Sequence, residues 1–320
     1  MGLPPLLARP PIRQLLRQLL MVIPVLLSAC APSTEVPTWF DSIQRQPIRT
    51  VQVQGHRLAY LDAGKGPPVI LVHGFGGSLW QWEYQQTALS ADHRVITLDL
   101  LGSGLSDKPD LDYTPTQILE FFRSFVDALG IQRASLVGNS MGGGLVVGMA
   151  LTYPDRVDRL VLISGLPDRV LDKLTAPLVR HAVTSRAPGW LVKFSNWLIG
   201  SSVTETVLRE IIYDETLITP AVLDRANRNR RRPGLIEPIL TVKRNLPLWE
   251  EGFARRLGEI RHPTLIIWGE EDRVFPMQVG RDLQKTIPGS RLEAIPKAGH
   301  LPMWERPEVV NPMLLKFLQP

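Results

Sequence analysis

From Arg49 onward, apolar and polar residues alternate in two short runs, "RTVQVQG" and "HRLAYLDAG". A period of two sends successive side chains to opposite faces of a strand, and Gly55 between the runs marks a turn. The two runs predict an antiparallel pair at a sheet edge. "PPVILVHG", "HRVITLDL", "ASLVGNS", "DRLVLISG", "PTLIIWGEED" and "SRLEAIPKAGH" follow as continuous apolar runs closed by turn residues. That pattern suits strands buried on both faces. Between them the period changes. "PTQILEFFRSFVDALG" places Ile118, Phe121, Phe122, Phe125 and Val126 on one helical face, with Thr116 as its predicted cap and Gly130 as its stop. "SMGGGLVVGMALTYP" and "ERPEVVNPMLLKFL" read as two further helices. Strand and helix in alternation predict an α/β fold, a mostly parallel central sheet with helices on both faces.

The alternation breaks between Leu166 and Glu259. This stretch carries Trp190, Trp197, Trp249 and many arginines, and it holds no buried-strand run. It predicts a helical cap inserted into the α/β frame, so the expected division is a core of residues 49–166 and 259–320 with a cap of 167–258. Apolar and basic residues mix between Ala176 and Ile212, which suggests an apolar roof over a pocket. The basic run "RANRNRRRPG" at 225–234 reads first as a solvated face of the cap, with attraction of anionic lipid headgroups or carboxylated substrates as the alternative.

The first 29 residues follow a different plan. Arg9, Arg13 and Arg17 precede an apolar run from Leu19 to Leu27, and small residues follow. This is the layout of a secretory signal, and the run is too short to span a bilayer. The run ends in "LLSAC", which resembles the bacterial lipobox. The resemblance implies cleavage before Cys30, acyl chains on Cys30, and a tether over 30–48. Ala31 after the cysteine resembles outer-membrane sorting, so the expected location is exported and lipid-anchored, facing the periplasm or the cell surface. The leader also changes the reading of charge. It supplies three of the five net positive charges of the 320-residue chain, so no general nucleic-acid role is expected. Cys30 is the only cysteine, which leaves no disulfide to brace the fold.

Ser140 sits where the strand "ASLVG" meets the helix "MGGGLVVGMAL", within Gly138-Asn139-Ser140-Met141-Gly142. This G-x-S-x-G pattern lifts a hydroxyl from a sharp turn over a helix start. A serine hydroxyl is a weak nucleophile near neutral pH. It needs a histidine base, and the base needs an acid to fix its tautomer. Asp272 follows a buried strand in "WGEEDRVFP", with Glu270 and Glu271 as close rivals and Asp168 as a weaker one. His300, in "KAGHLPMWERP", is the one histidine beyond His262, and His262 lies at the opposite end of its strand. Along the chain these candidates fall in the order serine, acid, histidine.

The motifs "HGFGGSLWQW", "LDLLGSGLSDKP", "GNSMGG", "YPDRVDRLVLISG", "WGEEDRVFP" and "AGHLPMWERPE" together resemble the α/β-hydrolase superfamily over residues 49–320. The resemblance implies Ser140 as nucleophile, Asp272 as acid and His300 as base. It implies the backbone N–H groups of Phe75 and Met141 as oxyanion donors, with His73, Gly74 and Gly76 shaping the oxyanion loop. Asp99 is expected to serve a structural turn. No cofactor is implied. The scattered histidines give no metal motif, and "GNSMGGG" lacks the ending of a phosphate loop.

The reaction expected first is hydrolysis of a carboxylic ester with an apolar acyl or aromatic group, as in an esterase or monoacylglycerol-type lipase. A carbon–carbon bond hydrolase of ring-cleavage products is the alternative. "GNSMGG" and "YPDRVDRLVLI" resemble that subfamily, whereas "HGFGGSLWQW" departs from its H-G-x-G-P-G loop. A cofactor-free haloperoxidase shares the same triad, and a non-catalytic binding protein is disfavoured by three intact catalytic residue types. For the leader, Cys30→Ser is expected to abolish acyl modification, read as loss of the lipid mass from the mature chain.

Overall fold

The computed structural model describes residues 47–319. Cys30, the leader over 1–29 and most of the 30–48 tether lie outside the described residues. Eight strands build one sheet: β1 (Arg49–Val53), β2 (His56–Ala63), β3 (Pro68–Val72), β4 (Arg94–Leu98), β5 (Ala134–Asn139), β6 (Val157–Ile163), β7 (Thr264–Gly269) and β8 (Arg291–Ile295). Their order is β1-β2-β4-β3-β5-β6-β7-β8. β1 and β2 are antiparallel to each other and β2 is antiparallel to β4, while the remaining pairs are parallel. The turn between β1 and β2 places Gln54 at φ 51° and Gly55 at φ 82°. Two consecutive positive φ values match the right-handed twist of a hairpin.

The parallel strands are buried because both of their faces are covered. In β3 the alternation sends Ile70 and Val72 into one apolar layer with Ile96, Leu98 and Leu136. Val69 and Leu71 enter the layer on the other face with Val95 and Val137. β8 departs from the expected continuous burial. It is an edge strand in which only Ile295 is fully buried, so "SRLEAI" needs one covered side alone.

The core helices are α1 (Glu83–Leu89), α2 (Pro115–Ala128) and α3 (Met141–Thr152). The cap of α2 is Thr114, not Thr116: its side chain accepts from Gln117 N at 3.2 Å, and Pro115 occupies the first helical position. Proline fits there because that N–H has no partner inside the helix. Between β6 and β7 lie α4 (Val170–Lys173), α5 (Pro177–Thr184), α6 (Gly189–Ile211), α7 (Pro220–Arg230), α8 (Ile236–Arg244) and α9 (Leu246–Gly252). The chain closes with α10 (Met277–Thr286), α11 (Pro302–Glu305) and α12 (Pro307–Leu318).

A buried ion pair ties the helices after β6 to the core. Arg225 of α7 donates to Glu83 of α1 at 2.8 Å, and both side chains are less than a tenth exposed. Trp304 Nε1 donates to the other Glu83 oxygen at 2.7 Å, and the Arg225 guanidinium lies 4.6 Å from the Trp80 ring centre. The basic run is therefore solvated only in part: Arg228 is exposed, whereas Arg225 and Arg232 are buried.

Removing one member of such a pair leaves a buried charge without its counterion, which costs about 3–5 kcal/mol. Arg225→Leu is expected to lower the unfolding free energy by about that amount in urea titrations. Arg225→Leu combined with Glu83→Gln is expected to recover part of it.

Candidate active site

The sheet order turns at β3 and β5. From β3 the chain moves outward to β4 on one side, then returns to place β5 on the other. The crevice above such a switch point, at the C-terminal ends of the strands, is where α/β sheets hold ligands. Ser140 stands there, between β5 and α3, at φ 52° and ψ −118°. A left-handed φ on a serine is strained and persists only where neighbours enforce it. Ser140 N donates to Ile163 O at 3.0 Å, which pins the turn to β6.

The flanking glycines are required by contact. A Cβ on Gly138 would lie 2.3 Å from Gly142 O, and one on Gly142 would lie 2.3 Å from Val72 O. A Cβ on Gly74 would meet the Ser140 Cβ at 3.1 Å. β3, the turn and the start of α3 thus approach more closely than any side chain permits.

Asp272 and His300 come from loops after β7 and β8. Asp272 Oδ2 meets His300 Nδ1 at 2.9 Å. The other oxygen, Oδ1, accepts from Val274 N at 2.8 Å and Phe275 N at 3.0 Å. These bonds orient the carboxylate, and both side chains are buried. With Nδ1 bonded to a carboxylate, Nε2 is the ring nitrogen left for exchange with a substrate. His300 N donates to Ile211 O at 2.8 Å, and the Phe275 ring lies 5.7 Å from the imidazole, tilted by 64°. His300 and Ser140 line the same cavity.

The rival acids are held elsewhere. Asp168 is half-exposed and pairs with Lys173. Glu271 accepts from Ala298 N at 3.0 Å and shapes the loop before His300. Glu270 is exposed. His262 meets Pro154 O at the far end of β7.

The oxyanion loop has its own frame. His73 is fully buried, and burial holds its pKa below the ordinary imidazole value. Leu100 N donates to His73 Nε2 at 3.1 Å, so the proton sits on Nδ1, which donates to Gly74 O at 2.8 Å. His73 is thereby a neutral brace for this loop. Gly74 N donates to Gln81 Oε1 at 3.2 Å, and Gly76 has φ 68°. Phe75 and Met141 line the cavity next to Ser140. Met141 opens α3, where the first N–H groups have no partner within the helix. Asp99 accepts from Leu79 N at 2.8 Å and Leu105 N at 2.6 Å, which is a structural turn.

Three supporting residues escaped the sequence pattern. Asn139 donates from one amide to Ile163 O at 3.1 Å and to His300 O at 3.2 Å, joining the elbow to the histidine loop. Gln81 holds the oxyanion loop. Glu305 accepts from Gly299 N at 2.9 Å and Tyr213 N at 2.7 Å, and its burial raises its pKa. Asn139 lies inside the elbow motif and Glu305 inside "WERP". Nothing in the residue types marks them apart from neighbouring polar positions.

The cavity above Ser140 has a volume of about 310 Å³. Its wall is mainly aliphatic, with Leu174, Val179, Val207, Leu208, Ile239 and Leu246 among its residues. Asn229 and Arg230 supply polar lining from α7. Among the described residues, no group of three or more His, Cys, Asp or Glu is arranged to hold a metal ion.

Comparison with known proteins agrees with this fold. A family model described as the alpha/beta hydrolase fold matches residues 67–307. The chain is 30% identical over 270 residues to a 2-hydroxy-6-oxononadienedioate/2-hydroxy-6-oxononatrienedioate hydrolase of Comamonas testosteroni, covering 82% of this chain and 91% of that one. It is 31% identical over 271 residues to a 2-hydroxy-6-oxo-6-phenylhexa-2,4-dienoate hydrolase of Burkholderia cepacia, with the same coverage. The crystal structure of a meta-cleavage product hydrolase variant superposes with a TM-score of 0.73 at 27% identity, covering 84% of this chain and 97% of that one.

Gly142→Ala forces a Cβ against β3 backbone and is expected to cost about 1–3 kcal/mol of stability. Gly252→Ala, where nothing lies within 4 Å, is expected to stay within about 0.5 kcal/mol. Paired thermal or urea unfolding of the two variants checks the contrast.

Proposed function

The chain belongs to the alpha/beta hydrolase fold family, and from that premise we propose that this enzyme cleaves the bond beside a substrate carbonyl through an acyl-enzyme on Ser140. His300 Nε2 takes the Ser140 proton as Oγ attacks the carbonyl carbon. Asp272 balances the charge on the imidazolium through the 2.9 Å bond to Nδ1. The carbonyl oxygen becomes an oxyanion facing the N–H groups of Phe75 and Met141. Collapse expels the leaving group, which receives the proton from His300. Water, deprotonated by the same nitrogen, then releases the acid and restores Ser140.

The leading substrate class is a ring-cleavage product, a 2-hydroxy-6-oxo-dienoate cut at the carbon–carbon bond beside its 6-oxo group. The observation that carries this reading is the likeness to two hydrolases of such compounds across 82% of the chain. This reverses the order expected from sequence motifs, in which esters came first. The chemistry fits the site. Carbon is a poor leaving group unless its electron pair is delocalised, and the conjugated oxo-acid half supplies that delocalisation in its keto form. The aliphatic wall suits the 6-substituent, and Asn229 offers a polar partner to the carboxylate.

A second reading, hydrolysis of carboxylic esters, rests on one observation. The cavity wall is far richer in aliphatic than in polar groups, as a long acyl chain requires.

Initial rates separate the two. The substrates are 2-hydroxy-6-oxo-6-phenylhexa-2,4-dienoate, followed by loss of its visible absorbance, and p-nitrophenyl esters from acetyl to palmitoyl. The expected result is a kcat/KM at least about tenfold higher on the dienoate, a difference of ~1.4 kcal/mol in transition-state binding. Ser140→Ala and Asp272→Asn are expected to lower kcat by about 10⁴-fold with the fold intact. Turnover of esters alone establishes the second reading. A folded protein inert towards both, or an active Ser140→Ala, overturns the mechanism.

A further inference from the structure

The mechanism above uses the buried carboxylate of Asp272. A second buried carboxylate, Glu305, is bonded to the main chain on both sides of the same histidine. Glu305 Oε1 accepts from Gly299 N at 2.9 Å and from Leu301 N at 3.4 Å, the residues that flank His300. Oε2 accepts from Tyr213 N at 2.7 Å, in the segment that leaves α6. The N–H of His300 itself goes elsewhere, to Ile211 O at 2.8 Å, and its carbonyl accepts from Asn139 at 3.2 Å. Both main-chain polar groups of His300 and the N–H of each neighbour are therefore taken.

The local sequence explains how Glu305 comes to lie there. Pro302 opens the one-turn helix α11, and Glu305 N donates to Leu301 O at 2.9 Å. One helical turn brings position 305 back beside position 301, so the carboxylate meets the loop that the chain has just left. Gly299 completes the seam. A Cβ there would lie 2.6 Å from Ile211 O, 3.0 Å from Tyr213 N and 3.1 Å from Glu305 Oε1, so the loop approaches the end of α6 this closely only because the residue has no side chain.

The partners of Glu305 set it apart from the other buried acids. Asp272 meets His300 and Glu83 meets Arg225, whereas Glu305 accepts from peptide N–H groups. Burial raises its pKa, and those N–H groups oppose the rise. A carboxylate accepts through two oxygens and donates nothing, so it serves donors on two sides at once. An amide in its place would turn an N–H₂ towards one of the two sets.

We propose that Glu305 is a positioning residue for the base: it seats the His300 loop on the end of α6, so that the imidazole stands where Asp272 holds it. Asp272 is anchored separately, by Val274 N and Phe275 N in the loop after β7. A shift of the His300 loop therefore changes the contact between Nδ1 and Asp272 Oδ2. The proposal rests on the triad mechanism above, with His300 as base, and one of its readouts needs no substrate.

Proton NMR of the full chain supplies that readout, because an Nδ1–H bonded to a carboxylate resonates far downfield of the amide signals. Kinetics use 2-hydroxy-6-oxo-6-phenylhexa-2,4-dienoate or p-nitrophenyl acetate, whichever the wild type turns over. Glu305→Gln is expected to shift or broaden the downfield resonance. It is also expected to lower kcat by about tenfold or more with KM within about twofold, since a misplaced base slows the chemical step and not binding. Gly299→Ala crowds the same Oε1 without altering the carboxylate. It is expected to act in the same direction, and it decides the matter if Glu305→Gln does not fold. Glu308→Gln, at an exposed carboxylate paired with Arg306, is expected to change neither readout. Variants that melt earlier yet keep the resonance, with kcat within about twofold of wild type, overturn the proposal, since Glu305 would then brace the fold alone. Where the wild type turns over neither substrate, the mechanism above fails and the resonance alone decides the seating.

Discussion

A turn that holds Ser140 at φ 52° is the constraint on which the surrounding structure depends. L-residues avoid that region, so the strain persists only because β3, β6 and α3 close around the turn. At Gly138 and Gly142 backbone passes backbone without room for a side chain, and Gly74 sits tightly against Asn139 and Ser140. The cost is met by the apolar layers on both faces of the sheet, which fix the strands. Out of that rigidity comes a hydroxyl raised over a helix start, beside N–H groups that have no helical partner.

The histidine is placed by a different means. Its loop buries Ala298 and Leu301 in the apolar layer on one face of the sheet, and polar contacts tie it to two distant parts of the chain and to the helix just after it. Asn139 reaches it from the elbow, Glu305 holds the flanking N–H groups, and Ile211 accepts from its backbone at the end of α6. The last of these matters for coupling. The C-terminus of α6 bonds the catalytic loop directly at Ile211, and the segment after it bonds the same loop through Glu305.

Much of this was legible in the sequence because it follows from local rules. Period-two and continuous apolar runs marked the strands, and the glycines around Ser140 marked the elbow. The misses have physical causes, some local and some not. Pro115 moved the α2 cap to Thr114, since proline favours the first helical position and the threonine before it is free to accept. β8 read as doubly buried because an edge strand needs only one apolar face, which a short run does not distinguish. The basic run at 225–234 looked solvated because composition does not show that Arg225 meets Glu83, 142 positions away in the chain. Asn139, Gln81 and Glu305 act through contacts that only the assembled fold creates.

The Glu83–Arg225 contact also bears on traffic into the cavity. Swinging α7 away from α1 would separate two charges that lie in a poorly solvated seam sealed by Trp80 and Trp304. Opening along this seam therefore carries the cost of separating a buried charge pair, so α7 and α1 stay together while molecules enter and leave the cavity.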